Sequence, residues 1–110
     1  DLHIAAENWS AVAANARRVT DIDPYQLAPY RSLARAAEAL NDPRQAIYAY
    51  ERMLELDSED PAGAHYHLAR LYKTTKPETA WRHVLDALTE APRYREAHRL
   101  FAELRKGGVE

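Results

Sequence analysis

Ala46-Ile47-Tyr48-Ala49-Tyr50-Glu51-Arg52-Met53-Leu54-Glu55 lies over Ala80-Trp81-Arg82-His83-Val84-Leu85-Asp86-Ala87-Leu88-Thr89 at an offset of 34 residues. The apolar positions coincide: Ala46 with Ala80, Ile47 with Trp81, Tyr50 with Val84, Met53 with Ala87 and Leu54 with Leu88. Their steps of three and four residues trace one face of a helix. Moving back by the same offset from Ala46 reaches Val12-Ala13, followed by Ala16, Val19 and Asp23-Pro24. The intervening segments repeat too. Tyr30, Leu33, Ala34 and Ala37 correspond to His65, Leu68, Ala69 and Tyr72 at offset 35, then to His98, Phe101 and Ala102 at offset 33. Two helical segments recurring within each period of this length point to stacked helix pairs.

Proline places the joints. Pro24, Pro43, Pro61, Pro77 and Pro92 are 19, 18, 16 and 15 residues apart. Proline is tolerated in the first turn of a helix and disruptive inside one, so the spacing predicts helices of about four turns. Asp42-Pro43 and Asp60-Pro61 each set a capping carboxylate before a first-turn proline, and Gln45 completes a capping-box pattern. Asn8 is expected to cap a helix starting at Trp9. The predicted helices are 7–22, 26–40, 43–56, 61–74, 77–90 and 93–106, and Pro29 falls near the second start. Tyr50, Leu68, Tyr72, Val84 and Leu88 are the expected core, and the last helix offers Ala97, Leu100, Phe101 and Leu104. No strand-like alternation competes.

Composition agrees with an all-α chain. Of 110 residues, 21 are Ala and only 3 Gly, which favours helix. No apolar run approaches the ~20 residues of a membrane span, and no membrane contact is expected. There is no cysteine, which excludes disulfides, thiol catalysis and thiolate metal sites but leaves the compartment open. The net charge of −2 gives no footprint for nucleic acid. Charge is nonetheless uneven: residues 1–60 carry −5 and residues 61–110 carry +3.

The chain resembles the tetratricopeptide repeat family. That motif has a large residue, Leu, a small residue and an aromatic on its first helix, then Ala, a large residue, Ala and a closing Asp-Pro on its second. Tyr30, Leu33, Ala34, Ala46, Tyr50, Met53 and Asp57 fit, with Ser58 in place of the proline; His65, Leu68, Ala69, Tyr72, Ala80, Val84, Ala87 and Pro92 fit better. Ala37 stands where an aromatic is usual, and the turn near Thr75 is one residue short. The resemblance implies a right-handed superhelical stack of antiparallel helix pairs. Within a repeat domain over 1–106 it implies a half repeat at 1–26, repeats at 27–61 and 62–94, and a capping helix at 95–106, followed by a tail at 107–110. The half repeat, with only a remnant of a first helix at residues 2–6, is expected in a piece of a longer protein.

Catalytic patterns are missing. Ser10, Ser32 and Ser58 have no G-x-S-x-G context, and no glycine-rich loop could cradle a phosphate. Glu55, Asp57, Glu59 and Asp60 lack the alternation and central glycine of a calcium loop. His3, His65, His67, His83 and His98 include no pair four residues apart, the spacing of a zinc-binding helix. His65 and His98 are therefore expected to fill the large packing position of the repeat. Neither metal nor cofactor is expected, and the chain is not read as an enzyme.

The faces turned away from the apolar stripes carry the functional signal. They present Arg31, Ser32, Arg35 and Glu38, then Tyr66, His67, Arg70 and Lys73, then Arg99, Leu100, Glu103 and Lys106. The resemblance implies that these faces line a concave groove for extended peptides. Guanidinium groups pair carboxylates through two parallel hydrogen bonds, so the expected partner is an acidic or C-terminal peptide. Arg31, Arg35, Arg70, Lys73 and Arg99 would supply charge, while Tyr66 and His67 would supply flat surface. Arg35 and Arg70 stand where the chaperone-tail clamp of some family members has Asn, so chaperone binding is not inferred. The alternative is an oligomerisation or docking module of a larger enzyme, packing through its N-terminal edge. There the first helix has only Leu2, His3 and Ile4 beside it, and self-association or fraying of residues 1–8 is expected. An RNA-binding repeat would be far more basic.

Overall fold

The computed structural model describes residues 2–108, with side chains from residue 5 onward. The chain is all-α: 79% of the described residues are helical, and no strand occurs among them. The helices are α1 (Leu2–Ile22), α2 (Leu27–Ala39), α3 (Pro43–Glu55), α4 (Pro61–Tyr72), α5 (Pro77–Glu90) and α6 (Arg95–Lys106). Their ends match expectation within two residues, except for the start of α1. That helix runs unbroken from Leu2, so Asn8 sits inside it as an exposed residue and caps nothing. Residues 2–6 are thus a continuation of α1 and not a separate remnant. The cause is local: no proline or glycine lies between Leu2 and Asp23, and the alanine-rich stretch propagates helix. The side chains of Leu2, His3 and Ile4, expected to cover this helix, fall outside the described residues, as do Val109 and Glu110.

The chain divides into two compact units, residues 1–58 and 59–110. In the first, α2 packs against both α1 and α3. Buried residues include Ala13 and Ala16 of α1, Tyr30, Leu33, Ala34 and Ala37 of α2, and Ala46, Ala49, Tyr50 and Met53 of α3. Alanine predominates in these stripes, which lets helix axes approach closely. Tyr30 of α2 joins the turn at Pro24 to α3. Its hydroxyl donates to the Pro24 carbonyl at 3.0 Å, and Arg52 of α3 reaches the same carbonyl at 2.9 Å while lying over the Tyr30 ring.

In the second unit α5 packs against α4 and α6, and α4 also meets α6. The shared core is Ala69, Ala80, Val84, Ala87, Ala97, Leu100 and Leu104, with Tyr72, Trp81, Leu88 and Phe101 half-buried around it. Trp81 of α5 stacks on Phe101 of α6, with ring centres 4.7 Å apart. His98 is exposed and does not fill the packing position expected of it. Its Nε2 donates to the Pro92 carbonyl at 2.7 Å. The Tyr30–Pro24 bond spans the same six residues, and both members are displaced by 68 residues, twice the period of 34.

Caps fix the helix ends. Asp42 accepts from the Gln45 amide at 3.3 Å, and Asp60 from the Gly63 amide at 2.9 Å. The capping box is only half formed, because the Gln45 side chain turns to Asp42 and to Arg17 of α1. Proline occupies the first turn of α3, α4 and α5, where its missing N–H costs nothing. α2 and α3 both end in left-handed residues, Asn41 (φ 58°) and Asp57 (φ 56°). In each case the next amide reaches back five residues, Asp42 to Ala37 and Ser58 to Met53, closing a Schellman turn. Glycine is the residue best suited to that conformation, and a carboxylate at a helix C-terminus opposes the macrodipole. Asp57→Gly is expected to raise unfolding stability by about 0.5–1 kcal/mol. A loss of stability on chemical denaturation would show that the Asp57 side chain holds the turn.

Candidate functional site

The seven residues proposed for a peptide surface divide between the units. Arg31 and Arg35 are exposed on α2, four residues apart and so on one face of the first unit. Glu38, which follows on that helix, is half-buried and accepts from the Tyr50 hydroxyl of α3 at 2.7 Å. It is thus committed to helix packing and leaves the two arginines as the charge of this face.

The second unit holds the other five. On α4, Tyr66 and His67 are half-buried and Arg70 is exposed; Lys73, just past the end of α4, and Arg99 on α6 are also exposed. Tyr66 packs its ring against Tyr94, at 5.2 Å between centres, and against His67, at 5.3 Å. Arg70 donates from its guanidinium to His67 Nδ1 at 3.0 Å. That bond puts the imidazole proton on Nε2 and needs a neutral ring. Burial acts in the same direction, lowering the His67 pKa against the opposing charge of Asp60. Although Arg70 is an exposed residue, burial of its guanidinium lowers its pKa, with Tyr94 acting the other way. Burial raises the Tyr94 pKa, helped by Asp60 and Glu96. The result is a guanidinium held by His67, whose own ring packs against Tyr66.

In the sequence Leu100 has a place both in the apolar stripe of α6 and on its outer face; only the first holds, since Leu100 is 5% exposed and lies in the core in line with Ala97 and Leu104. Lys73 does not present a bare charge: its ammonium meets the Glu103 carboxylate of α6 at 2.6 Å. Arg99 lies one turn before Glu103 on the same face of α6.

Some features escaped the sequence reading. Tyr94 sits in the turn before α6, and a reading confined to helix faces passes over it. In the first unit an open cleft of about 690 Å³ is lined by Arg17, Arg18, Arg44 and Tyr48, with Leu33 at its base. Its arginines come from α1 and α3, so no single-helix pattern announces it. His65 and His83 likewise meet across α4 and α5, so their pairing leaves no spacing signal within either helix. No helix among the described residues is long and apolar enough to cross a membrane. No family model matches the chain, and no curated protein matches it.

Proposed function

We propose that the chain is a non-catalytic interaction module of the tetratricopeptide type that binds acidic peptide, on the exposed faces of α4 and α6 in the second unit and, taken by itself, on that of α2 in the first. The observation that carries this reading is the setting of Arg70. Its guanidinium is held by His67 in the second unit, with Tyr66 and Tyr94 packed together beside His67, and has lost part of its hydration. A carboxylate brought to it forms charge-assisted hydrogen bonds where water competes less. The flanking rings give the neighbouring peptide side chains an apolar surface. Arg31 and Arg35 offer a second cationic face on the first unit. The helix-pair repeat itself draws support from the Tyr30–Pro24 and His98–Pro92 bonds, which recur two periods apart.

The test is a charge reversal read on an array of acidic peptides. Arg35→Glu combined with Arg70→Glu should weaken binding about 100-fold or more, equivalent to ~2.7 kcal/mol, with helicity unchanged. Affinity of the unaltered chain should also fall as salt rises, since exposed charges are screened over about 8–10 Å. Binders indifferent to both changes would overturn the acidic-peptide reading. They would favour the alternative of a docking module that packs through its N-terminal edge, which the exposure of Ile22 (85%) and Val12 (37%) on α1 supports.

A further inference from the structure

We propose that His65, His83 and Asp86 form a binding site for a divalent transition-metal ion such as zinc, joining α4 to α5 within the second unit. His65 lies in the first half of α4, and His83 and Asp86 are three residues apart on α5, so all three face the contact between these two packed helices. The two imidazoles approach through the same atom, Nδ1 to Nδ1, at 3.0 Å. His65 Nδ1 is 3.9 Å from Asp86 Oδ2, and one ligand atom from each of the three residues falls within 4.8 Å of the others.

These separations suit a metal. Two ligands at about 2.0–2.1 Å from a tetrahedral zinc are about 3.3 Å apart. The imidazole pair is already inside that spacing. The Asp86 side chain is 60% exposed and has room to swing the rest of the way. Two nitrogens and one oxygen are an ordinary donor set for zinc, with water completing the coordination.

The pair of rings is also prepared as ligands. Without a metal, one Nδ1 must donate and the other accept, which forces the rings into opposite tautomers. A bound ion lets both Nδ1 lone pairs coordinate, with both protons on Nε2. His83 is held flat against Tyr72, with ring planes 6° apart and centres 5.9 Å apart. Packing therefore fixes one donor, a second donor meets it from the facing helix, and a mobile carboxylate supplies negative charge.

The experiment is a calorimetric titration of the whole chain with zinc chloride, repeated with cobalt(II) to follow its visible ligand-field bands. One ion per chain should bind with a Kd of about 10 μM or tighter. Asp86→Asn alters an exposed residue that packs no core, and should weaken binding about tenfold. His65→Gln with His83→Gln should abolish it, while His98→Gln should change nothing. Imidazole nitrogen resonances of His65 and His83 should shift on zinc addition in the unaltered chain, which decides the matter even if the double variant folds poorly. Absence of binding at about 100 μM zinc, or binding that survives the double variant, or shifts confined to other histidines, would overturn the proposal.

Discussion

Tyr30→Ala should destabilise the chain by about 3–5 kcal/mol, the range for deleting a fully enclosed aromatic ring. Tyr30 is only 1% exposed, and it is the largest of the wholly buried side chains. Its ring meets Tyr48 edge-on at 6.1 Å and carries the Arg52 guanidinium 5.2 Å from its centre. Loss of the ring would empty the place where the turn at Pro24, α2 and α3 converge. The polar part contributes less. In Tyr30→Phe the Pro24 carbonyl still accepts from Arg52 at 2.9 Å, so no acceptor is stranded and the loss should be about 1 kcal/mol. Arg52 retains Glu55 at 2.6 Å as well. Urea denaturation of the two variants separates these contributions. Equal losses in both would place the stabilisation in the hydroxyl network, and a loss under about 1 kcal/mol in Tyr30→Ala would mean that the ring is not enclosed.

The difference between what was legible in sequence and what was not follows the range of the interactions involved. Caps and first-turn prolines act over three or four residues, and Asp42, Asp60, Pro43, Pro61 and Pro77 mark the starts of three helices correctly. Asn8 misled because a capping residue in an alanine-rich run can equally sit inside the helix. Tyr50, Leu68 and Val84 are buried as their stripe positions demand, whereas Tyr72 and Leu88 are half-buried at the margin of the second unit's core. Periodicity assigns a side chain to a face of its own helix but says nothing of what a neighbouring helix places opposite. The pairing of Lys73 with Glu103, the bond from Tyr50 to Glu38 and the meeting of His65 with His83 span 30, 12 and 18 residues and join different helical segments, which a pattern within one helix does not reveal. Arg31, Arg35, Arg70 and Arg99 are exposed, as charge on the far side of an apolar stripe faces solvent.

Leu100 decides between two assignments that its sequence position allowed, and Leu100→Ala should cost about 2–5 kcal/mol. A residue on a solvent-facing peptide surface would tolerate that change to within about 0.5 kcal/mol. Leu100 instead sits with Ala97 and Leu104 against Ala69, Ala80, Val84 and Ala87. Four members of that cluster are alanines, with no side chain long enough to fill the space left by truncation, so the cavity would persist. The effect should concentrate in α6. A helix of 12 residues is marginal in water by itself, so its order depends on docking its apolar stripe. Trp81 stacked on Phe101 and the Lys73–Glu103 pair would remain, but the latter is exposed and contributes at most about 1 kcal/mol. Amide exchange should therefore accelerate throughout α6 before it does so in α4 or α5. Protection of α6 equal to that of the unaltered chain, together with an unchanged unfolding midpoint, would return Leu100 to the surface and remove α6 from the core of the second unit.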